Sequence, residues 1–150
     1  METVSKLAGD YITFRIARQD FVMRAERVRG LLAAHELVTL ESFSTESWIC
    51  GVASLRAREF PVVDLRGKLG IAHGSHGREP LIIAVEIVSL TGMQRMLGFV
   101  ADRVSEVLPL RERDFRKGSV RIAGRSRRVL DPDSILTEQD WSNWTMSLVR

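Results

Sequence analysis

Two histidines, His73 and His76, stand in a glycine-rich stretch and are the best candidates in the sequence for binding a metal ion. A stable zinc site needs further ligands at suitable spacing, and the sequence offers no third ligand near them. A loop without a metal is therefore the favoured interpretation. Cys50 lies close to Trp48 and has no flanking cation to lower its pKa, which indicates a buried apolar residue rather than a nucleophile. The sequence predicts no metal site.

The patterns of common hydrolases and nucleotide-binding proteins are also missing from the sequence. Ser54 and Ser75 do not stand in a G-x-S-x-G motif, which would expose a serine nucleophile. Residues 65–70 lack the G-x-x-x-x-G-K-[ST] spacing with which backbone amides enclose a phosphate. Glu41 and Glu46 lie in a polar stretch, and nothing in the sequence places them across a cleft. We expect no catalytic residue and no cofactor, so the protein is predicted not to be an enzyme.

Arg56 is the strongest candidate for a functional side chain, and its chemistry is that of binding. An arginine combines a planar fork of donors with faces that stack on apolar groups, which suits it to anchor a protein interface. The alternative is a surface ion pair with Glu59 or Asp64, worth about 0 to 1 kcal/mol. We favour the interface anchor.

The segment around Arg56 has the pattern of a β-hairpin. It comprises two apolar or β-branched strands, a polar link and a closing turn, at Gly51–Leu55, Phe60–Leu65, Arg56–Glu59 and Gly67–Gly70. Pro61 has no backbone N–H to donate to a neighbouring strand. We therefore expect this end of the second strand to be a sheet edge or the start of the strand.

Alternating or continuous apolar runs predict a mainly all-β protein. Further strands are expected at residues 11–17, 21–23, 37–40, 81–88 and 96–100, with a second hairpin formed by 121–123 and 127–130. Residues 25–32 are expected to form a short turn of helix or a bent strand, followed by a strand. The run Leu81–Val88 is almost continuously apolar, which is typical of a strand covered on both faces. A short helix is expected from Ile135 to about Trp141 or Trp144. These two tryptophans either pin the tail onto the body of the protein or anchor a partner, and we favour pinning.

Length and composition bound the class of protein. The chain has 150 residues, of which 45% are hydrophobic and 27% charged, as expected of one globular domain. A single cysteine excludes an internal disulfide and fits a reducing compartment. The first residues lack the pattern of a secretory signal, and the apolar runs are too short to span a membrane. We expect a cytoplasmic protein.

Positive charge is concentrated in one segment, Arg111–Arg128. It holds eight basic and two acidic residues, a net charge of +6, whereas the whole chain carries +3. Such asymmetry is one signature of a nucleic-acid site, which makes a basic β-barrel that binds nucleic acid through residues 111–128 an alternative function. A solvated hairpin is the favoured interpretation, since only Phe115 interrupts the charges and a stacking platform is missing.

A weak internal repeat divides the chain. Residues 25–28 with Leu32 recur as residues 101–104 with Leu108, at an offset of 76 positions. Each copy follows an apolar strand. A spacing of about half the chain is typical of duplicated β units that build paired barrels.

Several motifs, in the same order, resemble the CheW-like domain, the coupling module of bacterial chemotaxis arrays. The family pattern is roughly G-V-x-N-L-R-G, then P-V-x-D-L-R, then G-x-x-V-D-x-V-x-x-V-L. The matching residues are Phe14–Met23, Arg27–Val28, Gly51–Ala57, Phe60–Arg66, Leu81–Val85 and Gly98–Leu108. The sequence departs from the pattern at Ser54, Ala57 and Gly30, and its segment 110–120 is shorter and more basic. The resemblance covers about residues 10–137.

The resemblance implies a fold and a role. The fold is two intertwined five-stranded SH3-like β-barrels with a shared core, in a single domain of residues 1–150 with a loose N-terminus and a helical tail. The role is a non-enzymatic scaffold that bridges the cytoplasmic tip of a chemoreceptor to the regulatory domain of a CheA-type histidine kinase. The expected partner-binding residues are Val28, Gly51, Ser54, Leu55, Arg56 and Ala57.

Overall fold

Short strands make up most of the protein in the computed structural model, which describes residues 7–34, 49–71, 79–88, 91–137 and 139–142. The strands are β1 (Gly9–Ile16), β2 (Gln19–Arg24), β3 (Val28–Ala33), β4 (Ile49–Leu55), β5 (Arg58–Val63), β6 (Leu81–Val88), β7 (Gln94–Ala101), β8 (Arg103–Leu110), β9 (Phe115–Arg116), β10 (Ser119–Ile122) and β11 (Arg125–Val129). A single-turn helix, α1, spans Leu65–Leu69, and 3₁₀ turns lie at Ala25–Arg27, Glu112–Asp114 and Pro132–Ser134. In these ranges no helix is long and apolar enough to cross a membrane.

The strands form two sheets with the same internal arrangement. The first sheet has the order β8-β1-β2-β11-β10-β9 and the second β3-β6-β7-β5-β4. In each sheet an edge strand, β8 or β3, pairs with an antiparallel hairpin, β1–β2 or β6–β7. The second strand of that hairpin pairs in parallel with β11 or β5, respectively. The hairpin β10–β11 therefore holds the position in the first sheet that β4–β5 holds in the second.

The chain crosses between the sheets at the two copies of the sequence repeat. The 3₁₀ turn Ala25–Arg27 carries it from β2 in the first sheet to β3 in the second, and Asp102 carries it back from β7 to β8. Each crossover supplies the edge strand of the other sheet. The two sheets are thus intertwined, which explains why the repeated residues lie at these two joints.

The main core lies between the two sheets, and each sheet also curls around a smaller apolar interior. Strand β6 shows both environments, because alternate residues point to opposite faces. Ile83 and Val85 join the main core, whereas Ile82 and Ala84 line the interior of the second sheet. The expectation that Leu81–Val88 is covered on both faces is confirmed.

Three predicted boundaries in the central hairpin were wrong for local reasons. The link is a two-residue turn at Arg56 and Ala57, because β5 already begins at Arg58. The second strand ends at Val63, since the Asp64 side chain accepts a hydrogen bond from Arg66 N at 3.0 Å and begins α1 instead. Gly70 ends this helix in the left-handed conformation, with φ at 69°. The predicted closing turn is therefore mostly helix.

Pro61 shows how a proline fits inside a strand. It does not start β5, as one of the two expectations had it, but lies within the strand opposite Val52 of β4. The parallel pairing of β5 with β7 comprises Val62 with Gly98 and Val63 with Phe99. Pro61 thus lies just before this pairing begins, where its missing N–H leaves no gap in the ladder. The expectation of a sheet edge was wrong for the strand as a whole, because β5 lies between β7 and β4.

The predicted helix from Ile135 begins later in the chain. Asp131 caps the 3₁₀ turn Pro132–Ser134, residues 135–137 are not helical, and helical structure is found at 139–142. Thr137 and Asp140 explain the start, because each side chain accepts a hydrogen bond from the other residue's backbone N–H, at 3.1 and 2.8 Å.

In the hairpin β10–β11, the predicted pairing is confirmed but the turn lies at 123–124 rather than at 124–126.

Trp141 pins the tail onto the body of the protein, as favoured from the sequence. Its side chain is 6% exposed within the main core, and the Arg95 guanidinium lies 4.8 Å from its ring centroid. Lys68 of α1 also pairs with Asp140 at 2.9 Å.

Several expectations fall outside the described residues, namely the strand 37–40 and the interpretations of His73, His76, Glu41, Glu46, Ser75, Trp48 and Trp144. Among the residues that are described, no group of three or more potential ligands is placed to hold a metal ion.

Candidate functional site

The tip of the β4–β5 hairpin holds its arginine in an unusual backbone conformation. Arg56 and Ala57 have φ angles of 52° and 67°, the left-handed region that a type I′ hairpin turn requires at both central positions. Residues with a Cβ adopt this region at a cost of about 1 to 3 kcal/mol each. Strand pairing from Ser54–Glu59 onwards fixes the turn despite this cost. The guanidinium of Arg56 is thus presented from a rigid, exposed tip.

Leu55 joins this tip to the far edge of the same sheet. Strands β4 and β3 are the two edges of the second sheet, yet Leu55 packs on Gly30 of β3. A Cβ at Gly30 would lie 3.1 Å from Leu55 Cδ2, which is tighter than ordinary contact. The missing side chain of Gly30 therefore lets the sheet close into a barrel beside Arg56.

Glu86 lies between two arginines at the end of this barrel. It follows Ile82 and Ala84 on the inner face of β6 and is 9% exposed. Its Oε2 lies 3.4 Å from Arg29 Nε and 3.7 Å from Arg58 Nη1. One carboxylate shared by two guanidinium groups leaves a positive charge at the tip. Its field favours the approach of an acidic group.

Arg56 makes no ion pair with any residue that the structure describes, and its side chain is exposed. The alternative of a pair with Asp64 was wrong, because Asp64 binds Arg66 at 2.6 Å. That hydrogen bond raises the pKa of Arg66 above its ordinary value, and Coulomb attraction by Asp64 adds to the shift. Glu59 lies opposite Ser54 and makes no ion pair with Arg56 either. With respect to residues 7–34, 49–71, 79–88, 91–137 and 139–142, the Arg56 guanidinium therefore has no ion-pair partner and can bind an acidic group of another protein.

The other predicted residues are only partly brought together. Ser54 is exposed beside Arg56, and Val28 is half-buried on β3, two residues or about 7 Å from Gly30 along the strand. Gly51 is buried at an irregularity of β4, opposite Val62 and four residues from Leu55. Gly51 therefore belongs to the buried base of the hairpin and not to its exposed surface.

Sequence reasoning missed the residues that surround the tip. Arg29, Arg58 and Glu86 form the charged cluster, and Leu31 of β3 is 47% exposed beside them. An acid within the apolar run of β6 was the available signal for Glu86, since a buried carboxylate needs a cationic partner. The exposure of Leu31 follows from β3 being an edge strand, which the sequence alone did not indicate.

The first sheet has an equivalent exposed apolar residue. Val107 on its edge strand β8 is 54% exposed, and it lies 76 positions after Leu31, the offset of the repeat. Edge strands with exposed apolar side chains are natural places for another protein to dock. The duplicated fold thus presents two such places.

Cys50 is half-buried, whereas the sequence indicated a buried side chain. Burial raises the pKa of its thiol to about 11, and the Asp64 carboxylate adds to the shift. Its side chain packs against the interior of the second sheet. Hardly any of the thiol is ionised near neutral pH, which is unfavourable for nucleophilic chemistry.

A bidentate ion pair between Arg27 and Asp133 stabilises the first crossover. Arg27 donates to both carboxylate oxygens of Asp133, each at 2.8 Å, and Val88 N donates to the same group at 2.8 Å. Burial acts to raise the pKa of Asp133, but the hydrogen bonds from Arg27 and Val88 outweigh it, so the pKa lies below its ordinary value. These contacts join the crossover turn Ala25–Arg27 and the end of β6 to the turn at Pro132–Ser134.

This ion pair should make the stability of the protein depend on pH. A carboxyl whose pKa is lowered by folding stabilises the native state above its unfolded pKa and loses that effect as the pH falls through the folded value. Replacing Asp133 by Asn should cost about 1 kcal/mol near pH 7, after allowance for solvent screening, and progressively less as the pH falls below the ordinary aspartate pKa. Urea unfolding of both proteins across this range measures the difference. Arg27→Gln should remove the same pH-dependent component, whereas unchanged spacing of the two curves down to pH 3 would contradict the assignment.

Comparisons with known proteins agree with this architecture. The family model of the CheW-like domain matches residues 10–140. The chemotaxis protein CheW of Rhizobium meliloti is 24% identical over 148 residues, covering 87% of this chain and 89% of the relative. The chemotaxis protein CheW of Klebsiella aerogenes is 29% identical over 124 residues, covering 77% and 69%.

A solved structure has the same fold. The crystal structure of the scaffolding protein TtCheW from Thermoanaerobacter tengcongensis superposes with a TM-score of 0.71 at 19% identity, covering 91% of this chain and 93% of that one. The predicted pair of intertwined SH3-like barrels is thereby confirmed, with β9 as an additional two-residue strand on the first sheet. Matching motifs, fold and relatives lead to one assignment, and the chain belongs to the CheW-like domain family.

Proposed function

We propose that this chain is a non-catalytic adaptor of chemotaxis-type signalling that acts in the cytoplasm. It holds the cytoplasmic tip of a chemoreceptor and the regulatory domain of a CheA-type histidine kinase at two separate surfaces. The observation that carries the proposal is the rigid hairpin tip with its exposed Arg56, which has no acidic partner among the described residues. Family membership and the names of the relatives, chemotaxis and scaffolding proteins, support it.

The receptor surface is the tip of the second barrel. Arg56 is its charged anchor, Ser54 and Ala57 flank it, and Leu55 with Val28 supplies apolar contact, while Gly51 supports the hairpin from below. Interfaces of this kind draw most of their affinity from a few anchors, among which arginine is enriched. The positive charge of the Arg29–Glu86–Arg58 cluster directs an acidic part of the receptor to the tip.

The kinase surface is an edge strand. Leu31 on β3 and Val107 on β8 are the exposed apolar residues that the two edge strands offer. A partner domain of similar fold can dock there through side-chain contact and the free backbone groups of the edge. Because β3 lies beside the receptor surface and β8 belongs to the other sheet, the two candidates can be separated by mutation.

Titration of the full chain with the cognate kinase's regulatory domain tests this assignment. We expect either Leu31→Glu or Val107→Glu to weaken kinase binding by more than about tenfold, since a charge is then buried without a partner. The other substitution serves as the matched control and should leave kinase binding within about twofold of wild type. Wild-type binding by both variants, or no binding by the native chain at tens of micromolar, would refute the proposed kinase surface.

The alternative of a nucleic-acid-binding barrel has no supporting observation. Phe115, the one aromatic residue of the basic segment, packs on Tyr11 with ring centroids 5.2 Å apart and is not free to stack on a base.

A further inference from the structure

Strand alternation divides the basic segment into two faces. Val120 of β10 is buried, so its cross-strand neighbours Phe115 and Arg127 share its inward direction. The opposite side of β9, β10 and β11, here named the outer basic face, carries residues that alternate with these. They are Arg116, Ser119, Arg121, Ser126 and Arg128.

Among the described residues, the acidic partner of this segment lies on its inward side. Arg125, which lies opposite Ile122, pairs with Asp20 at 3.0 Å, and Asp20 also binds Arg15 at 3.0 Å. Burial acts to raise the pKa of Asp20, but Arg15 and Arg125 lower it below the ordinary value. In the described strands β9 to β11 the outer basic face includes no acidic residue.

Neutral groups hold the three outer guanidinium groups in place. Arg116 donates to the carbonyl oxygens of Arg113 and Phe115, at 2.8 and 2.9 Å, and Arg121 donates to that of Gly124 at 3.4 Å. These contacts restrict the side chains without neutralising them.

Arg128 is held in the same manner. It donates to the Gln19 side chain at 3.2 Å and lies 5.3 Å from the ring centroid of Phe21. None of these three positioned charges makes an ion pair with an acidic residue in the part of the chain that the structure describes. Ordering part of a side chain beforehand lowers the entropy cost of binding an anion.

The spacing of the charges suits carboxylates on a protein segment. Arg116 and Arg128 flank Ser119 on neighbouring strands, which separates their backbones by about 10 Å, and Arg121 lies about 7 Å farther along β10 than Ser119. Acidic residues in successive turns of a helix, or at alternate positions of a strand, have comparable spacing. The arginine fork also suits bidentate binding of carboxylates.

We propose that the outer basic face docks an acidic segment of a partner protein. Nucleic acid is disfavoured because Phe115 is occupied by Tyr11, and a membrane surface because the apolar residues of this unit, Val120 and Ile122, face the barrel interior. The hairpin β10–β11 is also the counterpart of the β4–β5 hairpin in the other sheet. The arginines of this face would attract an acidic segment whether or not the chain also binds a receptor and a kinase at the surfaces proposed above.

Binding of a fluorescein-labelled oligoglutamate peptide to the full chain at about 50 mM salt tests the proposal. We expect Arg116→Gln with Arg121→Gln to weaken binding at least about fivefold, which corresponds to about 1 kcal/mol for two charge contacts. Arg128 is left intact because it packs on Phe21. The matched control, Arg18→Gln with Arg103→Gln, removes the same charge from exposed positions on the β1–β2 turn and β8, and should change binding less than about twofold.

A second pair of variants and two further probes complete the test. Arg116→Lys with Arg121→Lys keeps the charge and should retain most of the binding even if the glutamine variant proves unstable. Equal weakening by the test and control pairs would show that only net charge matters and would overturn the proposal. Tighter binding of the native chain to single-stranded DNA or to phosphatidylglycerol vesicles than to oligoglutamate would overturn it as well.

Discussion

Replacing Gly98 by alanine is expected to destabilise the protein by about 2 to 3 kcal/mol, the largest effect of a single methyl group that we foresee. Gly98 lies in β7 between Val62 and Ala84 of the neighbouring strands. A Cβ there would come within 2.8 Å of Phe60 Cε2 and 2.9 Å of Ile82 Cγ2. Both neighbours are themselves buried in the second barrel, so they have little room to move.

Thermal or urea unfolding measures this loss, with about 2 to 4 °C of melting temperature for each kcal/mol in a chain of this size. Gly67→Ala is the matched control. A Cβ at Gly67 would meet nothing within 4 Å, and alanine favours the helix α1, so that variant should be as stable as wild type or slightly more stable. A fully stable Gly98→Ala protein would mean that the second barrel is packed less tightly than the structure indicates.

Replacing Arg56 by alanine is expected to weaken receptor binding by about thirtyfold, or about 2 kcal/mol, without lowering stability. The side chain is exposed and makes no ion pair within the described part of the chain, so its removal breaks no contact that holds the fold. A partner that pairs with the guanidinium would lose a charge-assisted hydrogen bond at the centre of the interface. Arg56→Lys should recover only part of the affinity, because lysine lacks the planar fork.

Titration with a soluble fragment of the cognate receptor's cytoplasmic tip measures this effect. Arg18→Ala, an exposed arginine in the turn between β1 and β2, is the matched control and should bind like wild type. Unchanged receptor affinity in Arg56→Ala would remove the hairpin tip from the receptor surface. A large loss of stability in the same variant would show that the arginine supports the fold instead.

Local patterns predicted most of the strands, because a strand's alternation of apolar and polar residues depends only on residues that are neighbours in the sequence. The continuous apolar run of β6 indicated burial on both faces, and the repeated residues near 25 and 101 indicated a two-part architecture. The start of α1 at Asp64 and the helix start at Thr137 were missed, although both are capping signals. Strong β-forming residues before Asp64 concealed the first of them.

The candidate site was harder to predict because its parts come from distant segments. Arg56 was identified from its position in the hairpin, but the contact of Leu55 with Gly30 and the bridging of Arg29 and Arg58 by Glu86 depend on strands that meet only in the folded barrel. The family motif contains Gly98 and Asp64, and the structure gives physical reasons for both. Gly98 leaves room for the barrel interior, and Asp64 binds Arg66.

If one small double barrel holds two proteins simultaneously, as we propose, sedimentation velocity of the native chain with the kinase regulatory domain and a receptor fragment tests this most directly. Binding at separate surfaces predicts a ternary complex that sediments faster than either binary complex. Displacement of one partner by the other, with no ternary species at saturating concentrations, would contradict it.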